Sequence, residues 1–135
     1  MDAKASILVV DDEEVVRRSY ARILGEMDCD AQGAADGEQA LRAMERRAFD
    51  VVLLDLRMPG VQGLEVLEAI KHRWPASEVV IITGYPTLES AREALRLGAC
   101  DYLAKPAHPD EVIDAARGAM RRKKWALRAE AAPVH

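Results

Sequence analysis

Apolar runs that do not alternate with polar residues are the feature that most constrains the fold of this chain. Val51–Leu54 is an unbroken apolar stretch, and residues 7–10 and 79–82 have the same character. A strand with one wet face would show a period of two, so these runs favour parallel strands that are covered on both faces. Segments with helical periodicity separate the runs, and such alternation predicts a parallel sheet between two layers of helices.

Five strands and five helices are predicted in strict alternation. The strands are residues 7–10, 28–34, 51–54, 79–82 and 100–104, and the helices are residues 14–27, 38–47, 63–73, 87–97 and one that starts near residue 109. The apolar face of the first helix consists of Val16, Tyr20, Ile23, Leu24 and Met27. The predicted fold class is therefore α/β, with a five-stranded parallel sheet flanked by five helices in a doubly wound arrangement.

Length and composition favour one folded domain. The chain has 135 residues, of which 50% are hydrophobic and 31% are charged, and this balance argues against disorder. The net charge of −4 gives no reason to expect nucleic-acid binding. The opening MDAKAS does not resemble a signal peptide, and no apolar run approaches the roughly 20 residues needed to span a bilayer. We therefore expect a cytoplasmic protein with no membrane partner.

Scattered cysteines and histidines give no pattern of metal ligands. Cys29 and Cys100 lie far apart without a CxxC spacing, so each is expected to be a small core residue. His72, His108 and His135 are expected at the surface.

Polar residues follow four of the predicted strands. The first strand ends at Asp11 and Asp12, the third at Asp55, the fourth at Thr83 and the fifth at Lys105. The carboxyl ends of parallel strands meet at one edge, where sites in such sheets collect. Crowded carboxylates with a lysine and a hydroxyl suit a magnesium ion and a phosphoryl group, with Asp55 as the nucleophile.

Each of these residues also has an ordinary structural interpretation. Asp11 and Asp12 could cap a helix, Asp55 could be a turn residue, and Lys105 could be a solvated charge. Their coincidence at successive strand ends favours the functional interpretation.

These residues carry a family resemblance over about residues 5–122. The chain resembles the receiver domain of two-component response regulators, which are CheY-like and flavodoxin-like in fold. The matching segments are Val9-Val10-Asp11-Asp12-Glu13, Asp55-Leu56-Arg57-Met58-Pro59-Gly60-Val61-Gln62-Gly63, Thr83-Gly84 and Asp101-Tyr102-Leu103-Ala104-Lys105-Pro106. Thr83-Gly84-Tyr85 and residues 91–99 look most like receivers of the nitrogen-regulator (NtrC) type, which are attached to transcriptional activators.

The resemblance implies a phosphoacceptor domain that is not an enzyme in its own right. A sensor histidine kinase or phosphotransfer protein would phosphorylate Asp55. Mg²⁺ would be held by Asp12 and Asp55 and by the backbone carbonyl of Arg57, with help from Asp11. Lys105 would contact a phosphoryl oxygen, and its bond to Pro106 is expected to be cis.

The resemblance also implies a conformational switch. Thr83 would move toward the phosphoryl group, and Tyr102 would follow into the space that it leaves. Tyr102 could equally be a strand residue packed under the fourth helix, and both descriptions can hold. The surface formed by the fourth helix, fifth strand and fifth helix (about residues 87–122) would then change its affinity for an output domain, a partner protein or a second copy of the chain.

Two positions that vary in this family are bulky here. Arg57 lies two residues after the acceptor, and Tyr85 lies two residues after the threonine. Both would flank the path of a water molecule that attacks the acyl phosphate, so we expect a long-lived phosphoryl group.

The C-terminal segment leaves alternatives open. We predict a receiver domain over residues 1–122 and a tail or start of a linker over residues 123–135. Residues 121–124 (RRKK) are four consecutive cations that could end the last helix, begin a helical linker, or lead into a dimerisation extension with Trp125 and Leu127. Residues 131–135 are expected to fray.

Two other functions fit part of the pattern. A haloacid-dehalogenase-like phosphohydrolase would also use an aspartyl nucleophile and Mg²⁺, but it would need an acid where Arg57 stands. A receiver-shaped interaction module that is never phosphorylated would be expected to have lost acids or the lysine, and this chain keeps them.

Overall fold

The computed structural model describes residues 4–57 and 63–131, with side chains up to residue 123. The strands are β1 (Ser6–Val10), β2 (Asp30–Ala34), β3 (Val51–Leu54), β4 (Glu78–Thr83) and β5 (Asp101–Ala104), and the helices are α1 (Glu14–Gly25), α2 (Gly37–Arg46), α3 (Gly63–Arg73), α4 (Leu88–Arg96) and α5 (Pro109–Ala131). The predicted order of elements is confirmed.

The five strands form one parallel sheet in the order β2-β1-β3-β4-β5. This strand order belongs to the doubly wound folds, so the predicted fold class is confirmed. Strand β1 lies between β2 and β3, and Val10 is in register with both Ala34 and Leu54. The carboxyl ends of β1 and β3 therefore lie side by side.

Alternate residues of each central strand enter opposite sides of the core. In β3, Val52 and Leu54 belong to the cluster that also contains Phe49, whereas Val51 and Leu53 belong to the cluster on the other face. All four residues of β3 are buried, as are all six of β4. Burial on both faces explains why these runs do not alternate with polar residues.

Small differences from the predicted boundaries have local causes. Helix α1 ends at Gly25, two residues before the predicted Met27, because the chain tightens into turns and Asp28 adopts a left-handed φ of 60°. Tyr20 and Leu24 are still buried, and the other apolar residues of the predicted face pack against the same cluster. At the end of α4, Gly98 has a φ of +105°, which favours glycine.

Helix α5 differs from expectation at its C-terminal end. It runs from Pro109 to Ala131, so the cations of residues 121–124 lie inside the helix. The prediction that they end it is wrong, and the linker and dimerisation alternatives stay predictions. The boundary at residue 122 stays a prediction. Trp125 and Leu127 fall outside the described side chains, and residues 132–135 fall outside the described residues altogether.

The two cysteines pack in or against the core, and two of the three histidines lie at the surface. Cys29 and Cys100 are free thiols that pack in or against the core. His72 and His108 are exposed, and His135 falls outside the described residues. Within the described residues, no helix combines the length and apolar character that crossing a bilayer requires.

Candidate functional site

The polar residues at the strand ends meet at what we call the carboxyl edge of the sheet. Asp11 follows β1, Asp55 follows β3, Thr83 is the last residue of β4, and Lys105 follows β5. These four strands are neighbours in the sheet, so a site predicted from separate segments of sequence becomes one surface.

Three carboxylates converge at this edge. One oxygen each from Asp11, Asp12 and Asp55 lie within 4.8 Å of one another. Asp11 and Asp55 are buried, whereas Asp12 is exposed. An all-oxygen donor set with one open side suits a hard cation that keeps part of its water shell, so these residues fit Mg²⁺.

Lys105 connects the two buried acids. Its Nζ donates hydrogen bonds to Asp11 Oδ2 at 2.6 Å and to Asp55 Oδ2 at 3.0 Å. Burial by itself would lower the pKa of Lys105, but the bonds to the two carboxylates outweigh burial and raise its pKa above the ordinary 10.5. The lysine is therefore charged across the physiological range. It is paired with two buried carboxylates, whereas the alternative interpretation had made it a solvated charge. The Lys105–Pro106 bond is cis, as expected.

Each buried acid also binds the turn that follows it. The backbone N–H of Glu13 donates to Asp11 Oδ1 at 2.9 Å, and that of Arg57 donates to Asp55 Oδ1 at 3.1 Å. These local bonds fix the two carboxylates against rotation. In each acid one oxygen faces Lys105 and the other is held by its own loop.

Thr83 and Tyr102 lie in separate hydrogen-bond environments. Thr83 is fully buried, and its Oγ1 accepts from the backbone N–H of Tyr85 at 3.2 Å. The hydroxyl of Tyr102 lies 2.5 Å from Ser90 Oγ and accepts from the backbone N–H of Thr87 at 3.4 Å. Thr87 and Ser90 form the capping box of α4, so Tyr102 contacts the first turn of that helix.

Arg57 and Tyr85 touch each other. The guanidinium carbon of Arg57 lies 4.0 Å from the centre of the Tyr85 ring, a cation–π distance. The contact joins the loop after β3 to the loop after β4, beside Asp55 and Thr83. The sequence placed these side chains on two sides of one path, and the structure places them in contact.

Gly63 has a role that the sequence did not reveal. A Cβ at Gly63 would lie 2.4 Å from Leu56 Cα and 2.7 Å from the carbonyl oxygen of Asp55. Helix α3 therefore begins directly against the backbone that carries Asp55, which only glycine permits. The spacing of Gly63 from Asp55 in the motif was the available signal. The motif residues between them, 58–62, lie outside the described residues.

Tyr20 was predicted only as a core residue. It lines the same small crevice as Asp11 and Asp55. Burial raises the pKa of Tyr20, so its phenol stays neutral. Helical periodicity marks such a residue as apolar core and carries no information about which polar groups lie above it.

Comparisons with known proteins agree with this geometry. The family model of the response regulator receiver domain matches residues 7–117. The chain is 38% identical over 109 residues to a putative NtrX-like response regulator of Rickettsia bellii, covering 79% of this chain and 23% of that protein. It is 34% identical over 132 residues to the response regulator protein PilR of Pseudomonas aeruginosa, covering 98% of this chain and 29% of that protein. The chain thus spans about a quarter of the length of these curated relatives.

Solved structures give the same result. NtrX of Brucella abortus, solved in complex with ADP, superposes with a TM-score of 0.90 at 35% identity, covering 98% of this chain and 31% of that one. A CheY-like receiver domain protein of Methanospirillum hungatei superposes with a TM-score of 0.88 at 27% identity, covering 92% of this chain and 99% of that one.

Proposed function

The chain belongs to the response regulator receiver domain family, and we propose that it takes a phosphoryl group onto Asp55 from the phosphohistidine of a sensor histidine kinase or phosphotransfer protein. The observation that carries the proposal is the shared contact of Lys105 with Asp11 and Asp55, beside three converging carboxylates. A site built only for stability would not add a third acid beside two carboxylates that already share one lysine.

In the proposed transfer, a carboxylate oxygen of Asp55 attacks phosphorus. The new O–P bond forms as the N–P bond of phosphohistidine breaks, and the electron pair stays on the imidazole nitrogen. Mg²⁺, held by Asp11, Asp12, Asp55 and the backbone carbonyl of Arg57, would supply charge neutralisation of the phosphoryl oxygens. Lys105 would release one carboxylate contact and donate to a phosphoryl oxygen, which its charged state permits.

Signal output would begin at Thr83. Thr83 is the last residue of β4, the strand next to the one that Asp55 follows, and we propose that its hydroxyl donates to a phosphoryl oxygen after transfer. Tyr102 would then leave Ser90 and Thr87 at the first turn of α4 and turn inward. Because these contacts belong to the helix cap, the change would alter how α4 sits against β5.

The surface of α4, β5 and α5 is the proposed output face. Leu88 and Leu95 of α4 are exposed and lie seven residues apart, on one face of the helix. We propose that this face contacts either a second copy of the chain or an output domain. The matched segments are 23% and 29% of the length of the NtrX-like and PilR relatives, which supports control of an attached transcriptional output domain through residues 123–135.

Arg57 and Tyr85 are proposed to slow hydrolysis of the acyl phosphate. Their side chains contact each other at 4.0 Å on the loops that follow β3 and β4, which supports a shield across the path of a water molecule that attacks in line with the leaving carboxylate. An Arg57→Ala, Tyr85→Ala double variant is expected to lose its phosphoryl group faster than the native protein. A native decay as fast as that of the variant would contradict the shielding role.

Incubation with acetyl phosphate and Mg²⁺, followed by mass spectrometry, tests the proposal. The expected result is a stable phosphoryl adduct on Asp55 that is absent from Asp55→Asn. Turnover of phosphate esters without an adduct would instead indicate a phosphohydrolase. Inertness with both acetyl phosphate and a phosphorylated histidine kinase would indicate an unphosphorylated interaction module.

A further inference from the structure

We propose that Arg17 is a positioning residue that sets the magnesium affinity of the acidic site. The inference deepens the proposed function and rests on it in one respect, that Asp11 and Asp12 serve Mg²⁺. Arg17 belongs to α1, and its side chain reaches back over the start of the helix to the end of β1.

The contact that carries the proposal is made to backbone. Arg17 Nη1 donates to the carbonyl oxygen of Asp11 at 2.7 Å, while the N–H of Asp11 donates to Ala34 O at 3.1 Å. The carboxylate of Asp11 is already held by Glu13 and Lys105. Arg17 therefore fixes the peptide plane that leads from Asp11 to Asp12.

The orientation of the Asp12 carboxylate depends on that peptide plane more than the orientation of the Asp11 carboxylate does. Its side chain is exposed, so the direction in which it points is determined mainly by its backbone. If the Asp11 carbonyl could rotate, the Asp12 carboxylate would move relative to Asp55. Outer contacts of this kind typically change metal affinity by about 10- to 100-fold.

Gly33 leaves space for the side chain of Arg17. A Cβ at Gly33 would lie 3.3 Å from Arg17 Cδ and 3.6 Å from its Nε, so the stem of Arg17 crosses the glycine in β2. Gly33 does not adopt a positive φ, so its backbone does not require glycine. The missing side chain is instead explained by the passage of Arg17.

A positioning role and a purely electrostatic role of Arg17 predict opposite changes in Mg²⁺ affinity when the residue is replaced. The Arg17 guanidinium, bound to the Asp11 carbonyl, repels a cation at the acidic site, so removing its charge alone would tighten Mg²⁺ binding. Removing a positioning contact would weaken binding. The direction of the change therefore separates the two roles.

The first test compares Arg17→Met with Arg18→Met. Arg18 is the adjacent residue, is exposed and pairs with Glu14, so it is a control with the same change in charge. Isothermal titration with MgCl₂ should give a dissociation constant about tenfold higher for Arg17→Met and unchanged or lower for Arg18→Met. An unchanged or lower constant for Arg17→Met would overturn the proposal.

Two further variants exclude a general loss of structure. Arg17→Lys keeps a cationic donor that can make the single contact, so it should recover most of the affinity; failure to do so would contradict positioning. Gly33→Val, a residue favoured in strands, should displace the arginine and weaken Mg²⁺ binding without lowering the unfolding temperature. The double variant Gly33→Val, Arg17→Met should bind Mg²⁺ about as tightly as Arg17→Met alone. Additive effects of the two substitutions would contradict an effect of Gly33 that acts through Arg17.

Phosphorylation of the native protein distinguishes this inference from the proposed function. A native protein that binds Mg²⁺ but never carries phosphate on Asp55 would defeat the proposed function and leave the Arg17 comparison valid. Normal phosphorylation with an unchanged Mg²⁺ constant in Arg17→Met would defeat only this inference. A native protein that binds no Mg²⁺ at millimolar concentration would defeat both.

Discussion

At the amino edge of the sheet, Asp50 and Glu78 each lie beside a cation, whereas at the carboxyl edge three converging acids outnumber the one lysine that pairs with them. Asp50, just before β3, accepts from Ser6 N at 2.8 Å and from Lys123 Nζ at 2.5 Å. Glu78, at the start of β4, lies 3.7 Å from Arg122. At the carboxyl edge, Lys105 serves two buried carboxylates while a third lies close by.

Acidic side chains therefore stabilise the fold at one edge of the sheet and form the proposed site at the other. Burial alone would raise the pKa of Asp50, but hydrogen bonds from Lys123 and Ser6 outweigh burial and lower it. That pairing favours the folded state. At the carboxyl edge one more carboxylate is present than Lys105 contacts, and this is the excess negative charge that the proposed Mg²⁺ would neutralise.

The largest expected effect comes from exchanging one acid at each edge for its amide. Asp55→Asn should reduce phosphorylation by acetyl phosphate to the detection limit, because an amide is not a competent nucleophile. Asp50→Asn should leave the rate within about twofold, since it lies at the opposite edge. Mass spectrometry of time courses measures both. Comparable loss in Asp50→Asn would erase the functional distinction between the edges.

Gly63→Ala should distort the carboxyl edge through its backbone. The added methyl would overlap Leu56 Cα and the Asp55 carbonyl, so the free energy of unfolding should fall by about 2–3 kcal/mol. Urea denaturation measures the change. Gly118→Ala is the control, because a Cβ there meets nothing within 4 Å and alanine should stabilise α5 by about 0.5–1 kcal/mol. Equal effects in the two variants would show that the contact of α3 with β3 is unimportant.

Lys123→Met should reveal the stabilising pair of the amino edge. Loss of the cation bound to Asp50 should lower the free energy of unfolding by about 1–2 kcal/mol. Arg122→Met should cost less than about 0.5 kcal/mol, because its side chain is exposed and lies farther from Glu78. Chemical denaturation at neutral pH gives both values, and the reverse ranking would contradict the assignment.

The pH dependence of that pair has a definite sign. Because the folded pKa of Asp50 lies below its ordinary 3.8, its contribution is present above pH 3.8 and disappears as the pH falls through the folded value. The stability difference between the native protein and Lys123→Met should therefore be constant near neutrality and shrink in acid. A difference that grew on acidification would require another cause.

The smallest effect is expected from Asp12→Asn without metal. Removing one exposed acid from the crowded edge should relieve repulsion and raise the free energy of unfolding by up to about 0.5 kcal/mol. The same variant should gain less stability than the native protein when MgCl₂ is added, because stabilisation by a ligand follows its affinity. Thermal unfolding with and without Mg²⁺ measures both. Equal stabilisation by Mg²⁺ would remove Asp12 from the site.

Much of the fold could be predicted because its signals are local. Unbroken apolar runs such as Val51–Leu54 identify covered strands, and the helical period between them identifies the crossovers. Parallel strands joined in this way bring their carboxyl ends to one edge, so Asp11, Asp55 and Lys105 could be assigned to one site before their distances were known. The family and its nitrogen-regulator type were likewise predicted from ordered motifs and are confirmed.

Contacts between distant residues could not be predicted in the same way. Lys105 could have been solvated, and Lys123 looked like a helix-terminal cation rather than the partner of Asp50, 73 residues away. The passage of Arg17 over Gly33 depends on how α1 packs against β2.

The order of the elements and the polar residues at the strand ends follow from local patterns in the chain. Periodicity indicates which face of a segment is buried, and chain direction indicates which edge its last residue reaches. Folding in three dimensions sets which charges pair, which carboxylates are in excess and which side chains pass close to one another. Those outcomes depend on distances of a few ångströms between segments far apart in the chain, and no local pattern of residues encodes them.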